Sequence, residues 1–343
     1  MKILCTGDLH IGRRPSRLPA TIDAAEHSCA AAWHAIVETA IAQRVDLVAL
    51  SGDLVDQSNR YFQAVGPLES GLRRLAERDI PAVAVAGNHD HDVLPRLADT
   101  IGGTHFRLLG RGGRWERATF DRPGGRVHVD GWSFPQERVM TDPLLAYDLA
   151  TPGDGAPVLG LLHAELGAAS GHYAPVTLDG LRQRGCAFWL LGHIHAPALH
   201  AQDGLAPVLY PGSPQGMDPG EPGCHGAWIV ELRAGEAPVA TRLPLATVRY
   251  ETVELDLDGL EDAGEIEGRA VAAVRERLHA LAAERGPLRW LSVRLRVTGR
   301  TSLRREVERR LDQLGDDPIV EVDGVSAHVE RVAVEVRPTH DLT

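Results

Sequence analysis

Apolar runs that each end in a cluster of polar, chemistry-bearing residues recur along the first two-thirds of the chain. Residues 2–7 (KILCTG) form a short apolar run closed by glycine, the pattern of a buried strand, with Asp8 and His10 just beyond its end. Apolar positions at helical spacing follow from about Ala24 to Gln43. The pair then repeats: VDLVAL runs into Gly52 and Asp53, helical spacing covers Tyr61 to Arg78, and AVAVAG runs into Asn88, His89 and Asp90. This β-α-β-α-β order predicts an α/β sheet with right-handed crossovers. In such sheets ligands gather beyond the carboxyl ends of the strands, where all of these polar groups fall.

A glycine-rich stretch from about Gly110 to Gly125 reads as loop and hairpin, and VHVDGW as a further strand. Two more apolar runs end in histidine: PVLGLLH at His163, and CAFWLLGH leading into His193 and His195. The alternating segments LAPVLY, GAWIVEL and VRYETVEL predict antiparallel strands that complete a second sheet. A first domain over residues 1–247 is therefore expected. Beyond it, a helix from Leu260 to Glu284, the strand LRWLSVRLRV, a helix from Ser302 to Leu314 and the strand VERVAVEVR predict a small α+β domain over residues 248–343.

With 343 residues, 43% of them hydrophobic and 24% charged, the chain has enough apolar material for two cores. Its net charge of −11 argues against non-specific coating of nucleic acid or anionic membrane, although a local arginine patch can still hold phosphates. Cys5, Cys29, Cys186 and Cys224 lie far apart, the pattern of reduced thiols. The start MKILCTGDLH reaches a charge before any signal-peptide core, and no apolar run is long enough to span a bilayer. A cytoplasmic protein without a membrane anchor is expected. Trp33, Trp132, Trp189 and Trp228 read as packing residues, and His91, His172 and His225 as surface or supporting groups.

The chemistry concentrates in five strand-end elements: Asp8-Leu9-His10, Gly52-Asp53, Gly87-Asn88-His89-Asp90, His163, and Gly192-His193-Ile194-His195. Each alone is a common surface pattern. Together, in this order and each after an apolar run, they point to a metal site. The donors are carboxylate oxygens, an amide oxygen and imidazole nitrogens with no thiolate, which suits manganese or iron better than a structural zinc cage. One carboxylate can bridge two such ions about 3.5–4 Å apart, and Asp53, central to the strand series, is the natural bridge. Ions so placed polarise a phosphoryl oxygen and activate water, so phosphate ester hydrolysis is expected.

These elements match the pattern D-x-H, GD, GNH-D/E, H and GHxH, and the sequence resembles the calcineurin-like metallophosphoesterase superfamily. The resemblance implies a two-sheet sandwich flanked by helices and two divalent ions, manganese in first place with iron or magnesium as alternatives. It implies that Asp8, His10, Asp53 and His195 hold one ion and Asp53, Asn88, His163 and His193 the other. His89 would serve the leaving oxygen or the transition-state charge, with Asp90 orienting its imidazole. Within the superfamily, GDLHIG, SGDLVD and YPGSPQG (Tyr210 to Gly216) resemble the SbcD and meiotic recombination eleven (Mre-eleven) type DNA repair exonucleases, and the terminal block resembles their DNA-capping domain. That resemblance implies a DNA exonuclease, with endonuclease activity as a second expectation, acting in double-strand-break repair or end processing.

It also implies a homodimer, for which the apolar face of the Ala24–Gln43 helix offers one surface unless that face packs on the sheet. An SbcC-like coiled-coil ATPase is the other implied partner, docking through a helical segment that this chain, ending at Thr343, does not show. Arg13, Arg14 and Arg17, just after the DLH turn, are candidates to hold the DNA backbone, as is Arg60. The segment GDLVDQS lacks the GDxxDRG form of protein phosphatases. Two other expectations compete: a small-nucleotide (cyclic nucleotide) phosphodiesterase and a non-catalytic DNA-end-binding scaffold. The appended residues 248–343 favour a polymeric substrate, and the unbroken ligand set favours catalysis.

Overall fold

The N-terminal repeats form β1 (Lys2–Thr6), α1 (Cys29–Ala42), β2 (Leu47–Leu50), α2 (Val65–Ala76) and β3 (Ala82–Ala84). The computed structural model describes residues 1–56, 64–101, 105–167, 171–314 and 317–338. There follow α3 (Leu94–Ile101), β4 (Phe106–Leu108), the hairpin β5 (Glu116–Arg122) and β6 (Gly125–Trp132), β7 (Val158–His163), α4 (Leu178–Arg182) and β8 (Phe188–Gly192). The short strands β9 (Ala198–His200) and β10 (Val208–Tyr210) precede β11 (Gly226–Glu231) and β12 (Val239–Pro244). One sheet runs β12-β11-β1-β2-β3-β4 and the other β5-β6-β7-β8-β10-β9. Strands β1 to β4 are parallel, as are β6, β7, β8 and β10.

Alternation along each strand explains why the apolar runs are continuous. Ile3, Cys5, Leu47 and Ala49 pack against Val127, Val129, Leu159, Leu161 and Leu190 in the layer between the sheets. Leu4, Val48 and Leu50 face the other way, onto Trp33, Ile36 and Val37 of α1 and Leu68 and Leu72 of α2. Strands buried on both faces need no polar alternation. The apolar face of α1 is thus spent on its own sheet, so it is not offered to a second copy. Trp132 and Trp189 fill the outer layer of the second sheet together with Leu181 of α4.

Several boundaries differ from the sequence expectation for local reasons. Helix α1 begins five residues later than Ala24, because Asp23 Oδ1 accepts the Ala25 amide at 2.9 Å and Ser28 caps the helix by accepting the Ala31 amide at 3.3 Å. Both side chains compete with helical hydrogen bonding. The three segments expected to complete one sheet go to three: LAPVLY supplies β10 of the second sheet, GAWIVEL supplies β11, antiparallel to β1, and VRYETVEL enters a third sheet. Helix α3 and strand β4 arise where no regular element was expected.

The chain divides into two compact units. The first comprises Met1–Arg13, Ser28–Pro214 and His225–Leu245; the second comprises Arg14–His27, Gln215–Cys224 and Ala246–Thr343. A single boundary at residue 247 therefore leaves two short segments on the wrong side. The second unit is built on β13 (Val248–Asp256), α5 (Ile266–Ala280), β14 (Trp290–Thr298), α6 (Arg304–Asp312), β15 (Val320–Val322) and β16 (Val325–Val334). Its sheet runs β13-β14-β16-β15, with only β15 antiparallel to its neighbour. Ile266, Ala270, Val274 and Leu278, four residues apart along α5, pack with Val307 and Leu311 of α6 on the sheet face. The two added segments are tied in by Gln215, whose side chain bonds Val248 O and the Thr247 amide, and by Tyr250, whose hydroxyl donates to Ser16 O at 2.6 Å. The fold is thus a helix-flanked α/β sandwich of two sheets with an additional C-terminal α+β body. Among the described residues, no helix is long and apolar enough to cross a membrane.

Candidate metal centre

Three of the five motifs leave their strands through sharp turns. Asp8 (φ 48°), His10 (φ 45°), Asp53 (φ 51°) and His193 (φ 101°) all have positive φ. Such backbone costs a non-glycine residue about 1–3 kcal/mol and persists where the surroundings enforce it. Here the turns enforce one another: the Asp8 amide donates to Gly52 O at 2.9 Å, the His10 amide to Asp53 O at 3.0 Å, and the His193 amide to Asp8 Oδ1 at 3.0 Å. The segment after β10 holds the last turn, since the Ser213 amide donates to His195 O at 3.0 Å. That contact gives YPGSPQG a local structural role.

The side chains converge from these turns. Asp53 Oδ2 lies 3.4 Å from His163 Nε2 and 3.9 Å from His10 Nε2, while Asp53 Oδ1 accepts the His89 amide at 2.8 Å. His163 Nδ1 lies 3.0 Å from Ser51 O, which can only accept, so Nδ1 carries a proton and Nε2 is the nitrogen turned to the centre. That Nε2 faces Asn88 Oδ1 at 3.0 Å as well as Asp53. On the other side of Asp53, His10 Nε2 and His195 Nε2 are 3.1 Å apart, and Asp8, His10 and His195 form one group whose ligand atoms all lie within 4.8 Å of one another. Asp8, Asp53 and His163 form another. Acceptors facing acceptors repel unless a proton or a cation lies between them, and this donor set of oxygens and imidazole nitrogens fits hard or borderline divalent ions. His193 belongs to neither group; its ring centroid is 5.4 Å from that of His163 and 4.8 Å from that of Tyr173.

The electrostatics follow from the same arrangement. Burial alone would depress His163, but the Asp53 carboxylate outweighs it and lifts the imidazole to about 9. Burial would raise Asp53, yet the imidazoles of His163, His10 and His89 hold it well below the usual carboxylate range. Asp8 is raised, chiefly by burial. His193 is pushed down to about 3 by burial and by the charge on His163, so it presents a neutral ring. A cation entering beside His163 must therefore displace a proton. We expect divalent-metal affinity to rise with pH until about 9 and binding at neutral pH to release a proton. Calorimetry in buffers of different ionisation enthalpy reads this directly; binding heats independent of the buffer would contradict it.

Two supporting residues differ from the sequence reading. Asp90, fully buried, does not orient the His89 imidazole: its Oδ1 accepts the Gly87 amide at 2.8 Å and its Oδ2 the Leu54 amide at 2.7 Å, bracing the loops after β2 and β3. Burial, and then the charge on Asp53, push its carboxyl up to about 7. His89 Nδ1 is buried with no hydrogen-bond partner. Asp56, absent from the sequence expectation, has an oxygen 3.6 Å from His10 Nδ1 and forms a third group with His10 and His89. Its charge favours the proton on Nδ1 and so leaves His10 Nε2 to face the centre, the carboxylate–histidine arrangement common around metals. Asp56→Asn should weaken divalent-ion affinity by about tenfold to a hundredfold, measured by calorimetry; unchanged affinity would remove Asp56 from this role.

Two motif glycines are explained by close approach. A Cβ on Gly87 would lie 2.2 Å from Asp53 Oδ1, and one on Gly192 would lie 2.1 Å from Ser51 O and 2.7 Å from His163 Nδ1. Gly192→Ala should therefore lower metal affinity and destabilise the fold by about 1–3 kcal/mol, read by thermal melts with and without chelator. Equal melting of variant and parent would contradict the packing argument.

Of the arginines expected near DNA, Arg13 follows His10 in the first unit, Arg14 and Arg17 belong to the second, and Arg60 lies outside the described residues.

A family model described as calcineurin-like phosphoesterase matches residues 1–197, and one described as the middle domain of metallophosphoesterase YhaO matches residues 250–337. The metallophosphoesterase YhaO of Bacillus subtilis is 30% identical over 237 residues, covering 64% of this chain and 54% of its own length, so this chain spans about half of that relative. The DNA double-strand break repair protein Mre11 of Aeropyrum pernix is 26% identical over 306 residues, covering 86% of this chain and 72% of its own. Among solved structures, TT1561 of Thermus thermophilus aligns at 15% identity with a TM-score of 0.42, over 70% of this chain and 98% of its own.

Proposed function

We propose, starting from the fact that this chain belongs to the calcineurin-like phosphoesterase family, that it is a manganese-dependent nuclease hydrolysing phosphodiester bonds of DNA ends. The observation that carries the two-ion reading is the single Asp53 oxygen facing His10 on one side and His163 on the other. Asp8, His10, Asp53 and His195 would hold one ion; Asp53, Asn88, His163 and His193 would hold the second. Ions bound there would supply Lewis acidity toward a phosphoryl oxygen and a nucleophilic water at neutral pH. The chain's own contribution is placement. The His89 amide fixes the Asp53 carboxylate, the Ser51 carbonyl fixes the His163 tautomer, and the half-buried His89 ring stands beside His10 at a centroid distance of 4.9 Å. From there it can donate a proton to the departing sugar oxygen.

DNA rather than a small nucleotide is favoured because similarity to the Mre11 of Aeropyrum pernix extends over 86% of the chain, too much for the first unit alone. Digestion of end-labelled linear and circular DNA with manganese, magnesium or chelator tests the reading. Metal-dependent loss of linear DNA is expected. Cyclic nucleotides hydrolysed far faster than DNA would replace the nuclease by a small-nucleotide phosphodiesterase, and bound DNA left uncut with metal present would leave a scaffold.

A further inference from the structure

A cleft of about 580 Å³ lies wholly within the second unit, between its two added segments and its sheet. That volume is in the range of small-ligand sites. Ser16, Arg17, Asp218 and Gly220 form one side; Arg294 of β14 and Glu330 and Arg331 of β16 form the other. Two independent features of the backbone meet there. Arg17 has φ 57°, a strained conformation for a residue with a side chain, and its carbonyl accepts from His328 Nε2 at 3.0 Å and Ser292 Oγ at 3.4 Å. The register of β14 against β16 slips between Val293 and Arg294, so Glu330 is the extra residue of a bulge. The slip makes Arg294 the register partner of Arg331.

Neighbouring strands are about 4.7–4.9 Å apart, so the slip sets two cations side by side on one face. Glu330 neutralises only one of them, through Arg294 at 2.9 Å. Arg17 and Arg331 have no ion-pair partner among the described residues. The remaining acid, Asp218, already accepts the Gly220 amide at 2.7 Å within its own turn. Three guanidinium groups against two carboxylates leave the cleft with a net positive charge, on a chain whose net charge is −11. Bulges and strained residues of this kind accompany binding sites because they re-aim side chains.

We propose that this cleft is a phosphate-binding site, separate from the metal centre, which takes the phosphate of a nucleotide, free or within a polynucleotide. The polynucleotide case rests on the nuclease reading; the phosphate site itself does not. Arg17 and Arg331 are its main cationic groups, and guanidinium suits phosphate because it offers two parallel donors.

The test uses the full chain in chelator, so that the metal centre contributes no phosphate affinity. Binding of a short single-stranded oligodeoxynucleotide, deoxyadenosine monophosphate and inorganic phosphate is measured by calorimetry for the parent, Arg17→Gly and Arg331→Gln. Glycine accepts positive φ without penalty, so Arg17→Gly keeps the backbone while removing the charge, and circular dichroism checks that both variants fold. Each substitution should weaken oligonucleotide binding about tenfold and reduce its salt slope by about one. Equal weakening for the monophosphate identifies a free nucleotide as ligand; weakening confined to the oligonucleotide identifies the polymer backbone. Parent-like binding of all three ligands by both variants overturns the proposal, as does a parent that binds none of them. If linear DNA survives manganese while binding still depends on these arginines, the nuclease reading falls and the phosphate site stands.

Discussion

Asp53→Ala should lose both divalent ions and, with them, about three to five orders of magnitude in phosphodiester hydrolysis. One Asp53 oxygen faces both His163, at 3.4 Å, and His10, at 3.9 Å, and its neighbour Asp8 belongs to the groups around both of these histidines. Without it, the carboxylate left in the two groups is Asp8, which is itself raised by burial. Asp53→Asn separates charge from shape. It retains an oxygen for the His89 amide but removes the anion, so it should also fail to hold two ions while folding normally. Metal content after dialysis, by atomic emission, and hydrolysis of bis-p-nitrophenyl phosphate check both variants. Two ions retained by Asp53→Ala, or activity within tenfold of the parent, would show that the bridge lies elsewhere.

Much of this centre was legible because strand ends are local. An apolar run followed by a polar triplet identifies both the strand and the edge on which its polar groups lie, and the structure brings Asp8, His10, Asp53, Asn88, His163 and His195 close together there. Non-local and side-chain-specific features were not legible. Asp56 is a carboxylate three residues past Asp53, and nothing in that spacing says that the turn after β2 brings it to His10. Asp90 follows His89 in sequence, but adjacency is not contact: its oxygens go to the amides of Gly87 and Leu54. The strand GAWIVEL carries no mark that it will pair with β1 rather than with the second sheet, since β-pairing partners are chosen by packing. Likewise, segments 14–27 and 215–224 join the C-terminal body through specific hydrogen bonds, such as Tyr250 to Ser16, that no periodicity encodes. One further local signal is carried by Asp323-Gly324, both at positive φ, which closes a tight hairpin between β15 and β16.

Replacing the His89 ring should separate binding from turnover, because this residue contributes to the centre through two different groups. Its main-chain amide donates to Asp53 Oδ1 at 2.8 Å, and that bond survives any side-chain substitution other than proline. Its ring is edge-on to His10, and burial lowers its pKa, so at neutral pH it is uncharged and carries one N–H. His89→Ala should therefore keep its ions and bind DNA like the parent, while DNA hydrolysis falls by about two to four orders of magnitude. The leaving group discriminates the role of the ring. A deoxyribose oxygen leaves poorly without a proton, whereas p-nitrophenolate needs little help, so the defect on bis-p-nitrophenyl phosphate should be only about tenfold. An equal defect on both substrates would assign the ring to stabilising charge on the phosphoryl group. Loss of an ion in His89→Ala would instead make the ring a ligand, completing the group it forms with His10 and Asp56.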